Sequence, residues 1–202
     1  MVERGVKEIN LVAQDTTFYG HDLDPPCRFE DLLEKLLTIS GLNWLRILYA
    51  HPYYLTEGIL ELVDSEEILC PYLDVPIQHV NPDILKAMGR PLQAESIPQF
   101  VEKIRKRSRK ITLRTTVMIG FPGETEEQFK ELCNFIQDAQ FERLGVFAFS
   151  QEKGTHAARL KNSIPQSIVK DRIQELIEIQ AAISRNSNKE LVGKTVPVIV
   201  EG

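Results

Sequence analysis

The chain of 202 residues carries 24 Lys and Arg against 29 Asp and Glu, a net charge of -5, and is 43% hydrophobic. That balance excludes a protein held to nucleic acid mainly by its overall field, though not local contacts, and the length suffices for one main domain with a substantial core. No apolar run approaches the roughly eighteen residues that span a membrane, and MVERGVKEI at the start has no secretory apolar stretch, so a cytoplasmic location is expected.

The first strand is predicted in EINLVAQD (residues 8–15), which ends in Gln14 and Asp15. A helix follows, with Phe29, Leu32, Leu33, Leu36 and Leu37 at helical spacing and Gly41 beyond them as a stop. WLRILYAHP (44–52) reads as the second strand, and Ile59, Leu60, Leu62 and Val63 as a shorter helix after Thr56. YLDVPIQH (72–79) is the third strand and ends in Gln78 and His79. Asn81-Pro82 then supplies an N-cap and first helical position, with Gly89 as the matching stop. Ile97, Phe100, Val101 and Ile104 mark another helix, and IRKRSRK (104–110) lies near its C-terminus, where cations favour the dipole. A solvated helix end is the first reading of that basic run, and an RNA-contacting patch the second.

The stretch LRTTVMIGFPGETEEQF (113–129) is the most informative. A buried-strand pattern runs through a glycine-rich turn into a helix that opens on the capping box Thr125-x-x-Gln128 and carries Phe129, Leu132, Cys133 and Ile136 on one face. RLGVFAFSQ (143–151) is the fifth strand, and a long helix is predicted between 165 and 191, with Val169, Ile173, Leu176, Ile177 and Ile183 on its apolar side. VGKTVPVIV (192–200) starts a β-rich segment, and both chain ends read as cut from something longer. Strands that begin about thirty to forty residues apart with helices between them imply a parallel α/β sheet, and five such strands make an open or partial (β/α) barrel. Ligands then gather beyond the strands' carboxyl ends.

Cys27, Cys70 and Cys133 are too few and too scattered for a disulfide framework or metal-ligand spacing, and three thiols do not build an iron–sulfur cluster by themselves. His51 and His79 at adjacent strand ends, with Asp15 and Glu124, leave a metal-dependent barrel hydrolase as a competing reading, although no H-x-H or H-E-x-x-H spacing supports it. A non-catalytic module that binds ribosomal protein or RNA is a third.

The ordered segments LVAQDTTFYG, RILYAHP, YLDVPIQHVNPDILKAMGRP, LRTTVMIGFPGETEEQF and RLGVFAFSQEKGT resemble the radical S-adenosylmethionine (SAM) methylthiotransferases over nearly the whole chain. Within that family they are most similar to the RimO type, which modifies an aspartate of a small-subunit ribosomal protein. The related tRNA-adenosine enzymes usually carry Asn where Asp15 stands and a Gln-Ser-Gly-Ser-like sequence in place of Gln78-His79-Val80-Asn81. The resemblance implies a TIM-like partial barrel over residues 1–165 holding strands two to six of about six, a long helix over 166–191, and at 192–202 the start of a truncated TRAM-like β domain. It also implies two [4Fe-4S] clusters in the intact enzyme. The C-x-x-x-C-x-x-C loop that holds one of them is absent from this sequence, so its ligands are expected upstream of Met1 and the chain alone is expected to be inert.

In the chemistry so implied, SAM is cleaved reductively to a 5'-deoxyadenosyl radical that takes hydrogen from the aspartate β-carbon, and a methylthio group is delivered there. The chain would supply the rest of the SAM pocket from Gln14, Asp15, Gln78, His79, Arg114, Gly120, Phe121, Glu124 and Phe147. Arg114 would fork onto the SAM carboxylate or else pair with a barrel carboxylate such as Asp74. Gln78 and Asp15 would hold ribose hydroxyls or the amino group, or else cap loops. Gly120 and Gly123 would let backbone approach adenine or simply make a tight turn, Glu124 would orient the turn or a ligand amine or else cap the helix, and Phe121 and Phe147 would pack on adenine or in the core. The expected partners are a small-subunit ribosomal protein and possible ribosomal RNA, with no membrane, and the expected state is a monomer.

Overall fold

A computed structural model of the chain describes residues 2–90 and 96–200. Five strands, β1 (Glu8–Leu11), β2 (Trp44–Ile47), β3 (Leu69–Asp74), β4 (Thr112–Ile119) and β5 (Arg143–Ala148), form one sheet in sequential order. All neighbouring pairs are parallel. A sheet that adds each new strand on the same side is the winding of a (β/α) barrel rather than of a doubly wound sheet, and five strands close only part of the circle.

The connecting helices are α1 (Phe29–Leu37), α2 (Glu57–Ser65), α3 (Pro82–Ala87), α4 (Ile97–Arg105) and α5 (Glu126–Ala139), followed by α6 (Gln166–Lys189). Their starts are chemically marked. The Thr56 and Asn81 side chains accept from the first turns of α2 and α3, and Ser96-Gln99 and Thr125-Gln128 make full capping boxes on α4 and α5. Gly89 at φ 72 closes α3, and the Arg90 N–H donates back to the Leu85 carbonyl at 2.8 Å. Gly41 at φ 85 stands a few residues past the end of α1, whose C-cap is Thr38.

The two faces of the sheet differ sharply. Leu113, Thr115, Val117 and Ile119 of β4 are buried, as are Leu45 and Ile47 of β2 and Leu73 of β3, and these face the helices across the core. The opposite, barrel-inner face carries charge: Glu8 pairs with Arg46 at 2.8 Å, the Arg46 guanidinium lies 4.9 Å from the Tyr72 ring centre, and Asp74 stands in register with Arg114.

Helix α6 spans β4, β5 and α5 and buries Val169, Arg172, Leu176, Gln180 and Ile183. One position of the expected apolar stripe, Ile177, therefore differs, and two polar residues join its buried side. Arg172 and Gln180 are inside with polar partners, while Ile177 is 49% exposed. The β-rich segment expected over 192–200 forms no strand: Val192, Val198 and Val200 are exposed, and a lone extended segment has no ladder to join. None of the described helices is long and apolar enough to cross a membrane.

The basic run is used within the fold. Arg105 pairs with Glu142 at 2.9 Å and donates to the Ala139 and Gln140 carbonyls, Arg107 pairs with Glu57, and Arg109 donates to the Val63, Glu66 and Leu69 carbonyls. Only the lysines of that run, such as Lys106 with 72% of its side chain exposed, reach out into solvent.

Candidate functional site

Beyond the carboxyl ends of β3, β4 and β5 lies a cleft of about 520 Å³ whose walls include Gln78, Met88, Arg90, Met118, Phe121 and Phe149. Its shape begins with β4. Thr115 is fully buried in the middle of that strand, where its hydroxyl donates to the Val75 carbonyl at 2.8 Å and accepts from the Ile77 N–H at 3.3 Å. These bonds carry the chain past β3 alongside β4. There the Gln78 N–H donates to Thr116 and the Met118 N–H to Gln78, both at 2.9 Å. The His79 N–H returns to the Ile77 carbonyl at 2.9 Å, so Gln78 is the centre of a three-residue turn with φ 66. A left-handed glutamine is held by its surroundings rather than by preference. At the end of β2, Tyr49 has φ 54 as well, so two adjacent strands both finish in a backbone kink on the rim.

A smaller crevice of about 50 Å³, lined by Gln14, Asp15, Tyr49, His51 and Arg90, adjoins the cleft through Arg90. The Asp15 Oδ1 caps a short turn, accepting from the Thr17 N–H at 3.1 Å and its hydroxyl at 2.7 Å. Burial lowers the Arg90 pKa while Asp15 raises it, and burial lowers that of His51. The His51 Nδ1 accepts from the Tyr53 N–H at 3.2 Å.

Arg114 lies on the inner face of β4, in register with Asp74. Its Nε is 3.9 Å from the Asp74 Oδ1, too far for a hydrogen bond, and 49% of its side chain is exposed. Asp74 is only 3% exposed, and that oxygen has no hydrogen-bond partner. Burial raises the Asp74 pKa, with Arg114 pulling the other way. A half-open guanidinium thus stands beside a buried carboxylate oxygen that has no hydrogen-bond partner.

Gln14, Asp15, Gln78 and Phe121 therefore line one connected pair of cavities, and Arg114 stands on the inner face of the same strands. The expected ligand contacts of His79 and Phe147 are corrected, while Glu124 takes up the turn-holding one of the roles expected for it. His79 is fully buried, its Nδ1 accepts from the Asn81 N–H at 2.9 Å, and burial pushes its pKa down to about 4. Glu124 has no exposed side-chain surface: Oε2 accepts from the Gly120 N–H at 2.6 Å and Oε1 meets the Arg172 Nη1 at 3.0 Å. Phe147 is 61% exposed on the inner sheet face, and Phe149 packs edge-on against Phe121 instead, with ring centres 5.3 Å apart. Gly120 has a reason other than ligand approach, since a Cβ there would lie 2.7 Å from a Val169 methyl on α6. The hydrolase ligands do not assemble either, because His79 faces the core and no three His, Cys, Asp or Glu side chains among the described residues are grouped to hold a metal.

The residues that sequence reading passed over are Tyr49, Arg90, Met118 and Phe149. For Phe149 the signal was available: it shares parity with Phe147 but lies past the strand's end, where ligand sites form.

The family model described as the Radical SAM superfamily matches residues 1–136. The ribosomal protein uS12 methylthiotransferase RimO of Carboxydothermus hydrogenoformans is 46% identical over 200 residues, which cover 99% of this chain and 46% of that relative. The Geobacter sulfurreducens protein of the same name is 43% identical over 202 residues, covering 100% and 45%. The chain thus spans about half the length of the curated relatives it matches. Among solved structures, Escherichia coli coproporphyrinogen III oxidase, a radical SAM enzyme, superposes with a TM-score of 0.60 at 17% identity over 76% of this chain and 37% of its own. The archaeal Methanocaldococcus infernus Elp3 gives 0.52 at 13% identity over 91% and 54%. At those identities the likeness is one of fold.

Proposed function

This chain belongs to the radical SAM superfamily, and from that premise we propose that it is the central part of a methylthiotransferase acting on the β-carbon of an aspartate in ribosomal protein uS12. The observation that carries the reading is agreement along 99% of the chain, at 46% identity, with a protein of that name. The cleft supports it. Met118, Phe121 and Phe149 give an apolar wall suited to a purine and Gln78 brings an amide to its edge, while Arg114 and Asp74, outside that cleft on β4 and β3, would offer paired charges to an amino-acid moiety.

Bound SAM supplies a methyl group and, on reductive cleavage, a radical strong enough to take hydrogen from an unactivated carbon. The chain's own contribution is placement. The aromatic wall would seat the purine, the kink at Gln78 fixes one rim, and the guanidinium of Arg114 would hold the carboxylate end. The residues present do not fit an iron–sulfur cluster: Cys70 lies buried on β3 and Cys133 on α5, where burial raises its pKa to about 12, while Cys27 is on the loop before α1. The chain alone is therefore expected to be inactive. The intact protein would take its two clusters from segments outside this sequence and act in the cytoplasm, without a membrane.

The test is to incubate the intact enzyme with small ribosomal subunits, reductant, sulfide and SAM, and to follow uS12 by mass spectrometry. A methylthiolated aspartate is the expected product. Modification of a tRNA adenosine with uS12 untouched would overturn the reading.

A further inference from the structure

We propose that Arg172 of α6 is a positioning residue for SAM, fixing through Glu124 the turn after β4 that presents Phe121 to the cleft. The inference rests on the reading of that cleft as a SAM site. The side chains of Arg172 and Glu124 are 8% and 0% exposed. Glu124 holds the turn from inside, with Oε2 on the Gly120 N–H at 2.6 Å, and its Oε1 is taken by the Arg172 Nη1 at 3.0 Å. Arg172 is itself held from two further sides, by Glu126 at 3.1 Å and by the Phe129 ring, 5.0 Å from the guanidinium carbon.

One turn earlier on α6, Val169 occupies the space left by the missing side chain of Gly120. The helix thus touches the turn twice, once sterically at Gly120 and once electrostatically at Glu124. Phe121 follows Gly120 directly, so its ring position depends on the backbone that these two contacts fix. The buried Glu124 carboxylate is spent on the Gly120 N–H and on Arg172 and does not line the cleft, so it acts there through the backbone it orders.

A purely structural ion pair would affect melting alone, whereas a positioning residue also changes the affinity of the folded protein. The experiment compares the intact enzyme with Arg172→Met and with the double variant Glu124→Gln/Arg172→Met, which buries no unpaired charge if the single variant fails to fold. Binding of S-adenosylhomocysteine is measured by calorimetry well below the melting temperature, and exchange of the Gly120 amide by hydrogen–deuterium exchange. The expected result is an affinity about tenfold weaker with faster Gly120 exchange and an unchanged far-ultraviolet spectrum. Wild-type affinity in a folded variant would overturn the inference alone. Failure of the wild-type enzyme to bind S-adenosylhomocysteine would overturn the site reading and the inference together.

Discussion

Arg114 shows how far a single residue could be read in advance. Its place in an otherwise apolar strand required a choice between the helix layer and the barrel interior, and the structure turns it inward beside Asp74 at 3.9 Å. In the intact enzyme Arg114→Lys is expected to weaken S-adenosylhomocysteine binding roughly ten- to a hundredfold, because an ammonium lacks the fork that meets a carboxylate; calorimetry checks it, and equal affinity would leave Arg114 only its ion pair with Asp74. His79 was legible as a strand-end histidine but not as a buried one, since burial depends on what packs over it from elsewhere in the chain. Its pKa of about 4 lies below the unfolded value of 6.5, so the unfolded chain binds the extra proton first and stability falls as pH drops from about 6.5 to 4. Glu124, with its pKa raised by burial, contributes with the opposite sign, so the wild type must be compared with His79→Gln. Denaturant midpoints across that range should fall less steeply with acid in the variant, by on the order of 2 to 3 kcal/mol in total.

At the scale of elements, all five strands and the helices between them follow from periodicity and caps, because each local signal there agrees with the tertiary fold. Helix α6 was legible in extent but not in its contacts. Arg172 and Gln180 are polar letters on the core side, and their partners Glu124 and the Phe141 carbonyl lie far away in sequence. The basic run had the same difficulty: composition shows cations near a helix end, whereas the fold decides that Arg105 ties α4 to the loop between α5 and β5. Glu142, with 12% of its side chain exposed, also accepts from the Leu113 N–H at 2.8 Å. Arg105→Met should therefore cost about 3 kcal/mol by stranding that carboxylate, far more than Lys106→Met, whose pair with Glu102 lies in solvent. Chemical denaturation of the two variants distinguishes a clamp from a solvated helix end.

For the whole molecule, sequential parallel order leaves the charged inner face of the sheet on one side and the helical layer on the other. Iron content checks how the cofactors are divided. Purified and reconstituted with iron and sulfide, the chain should hold no cluster, since its three cysteines lie on separate elements, and about four irons per chain would contradict this. The kinks at Tyr49 and Gln78 have a bearing on how such a protein can be improved. Left-handed backbone at a non-glycine residue costs about 1 kcal/mol or more, so Gln78→Gly should leave melting unchanged or raise it while surrendering the amide at the cleft edge and loosening the rim. A screen for heat resistance and a screen for turnover would then select opposite residues at position 78. The most stable version of this barrel and its most active version are expected to be different sequences.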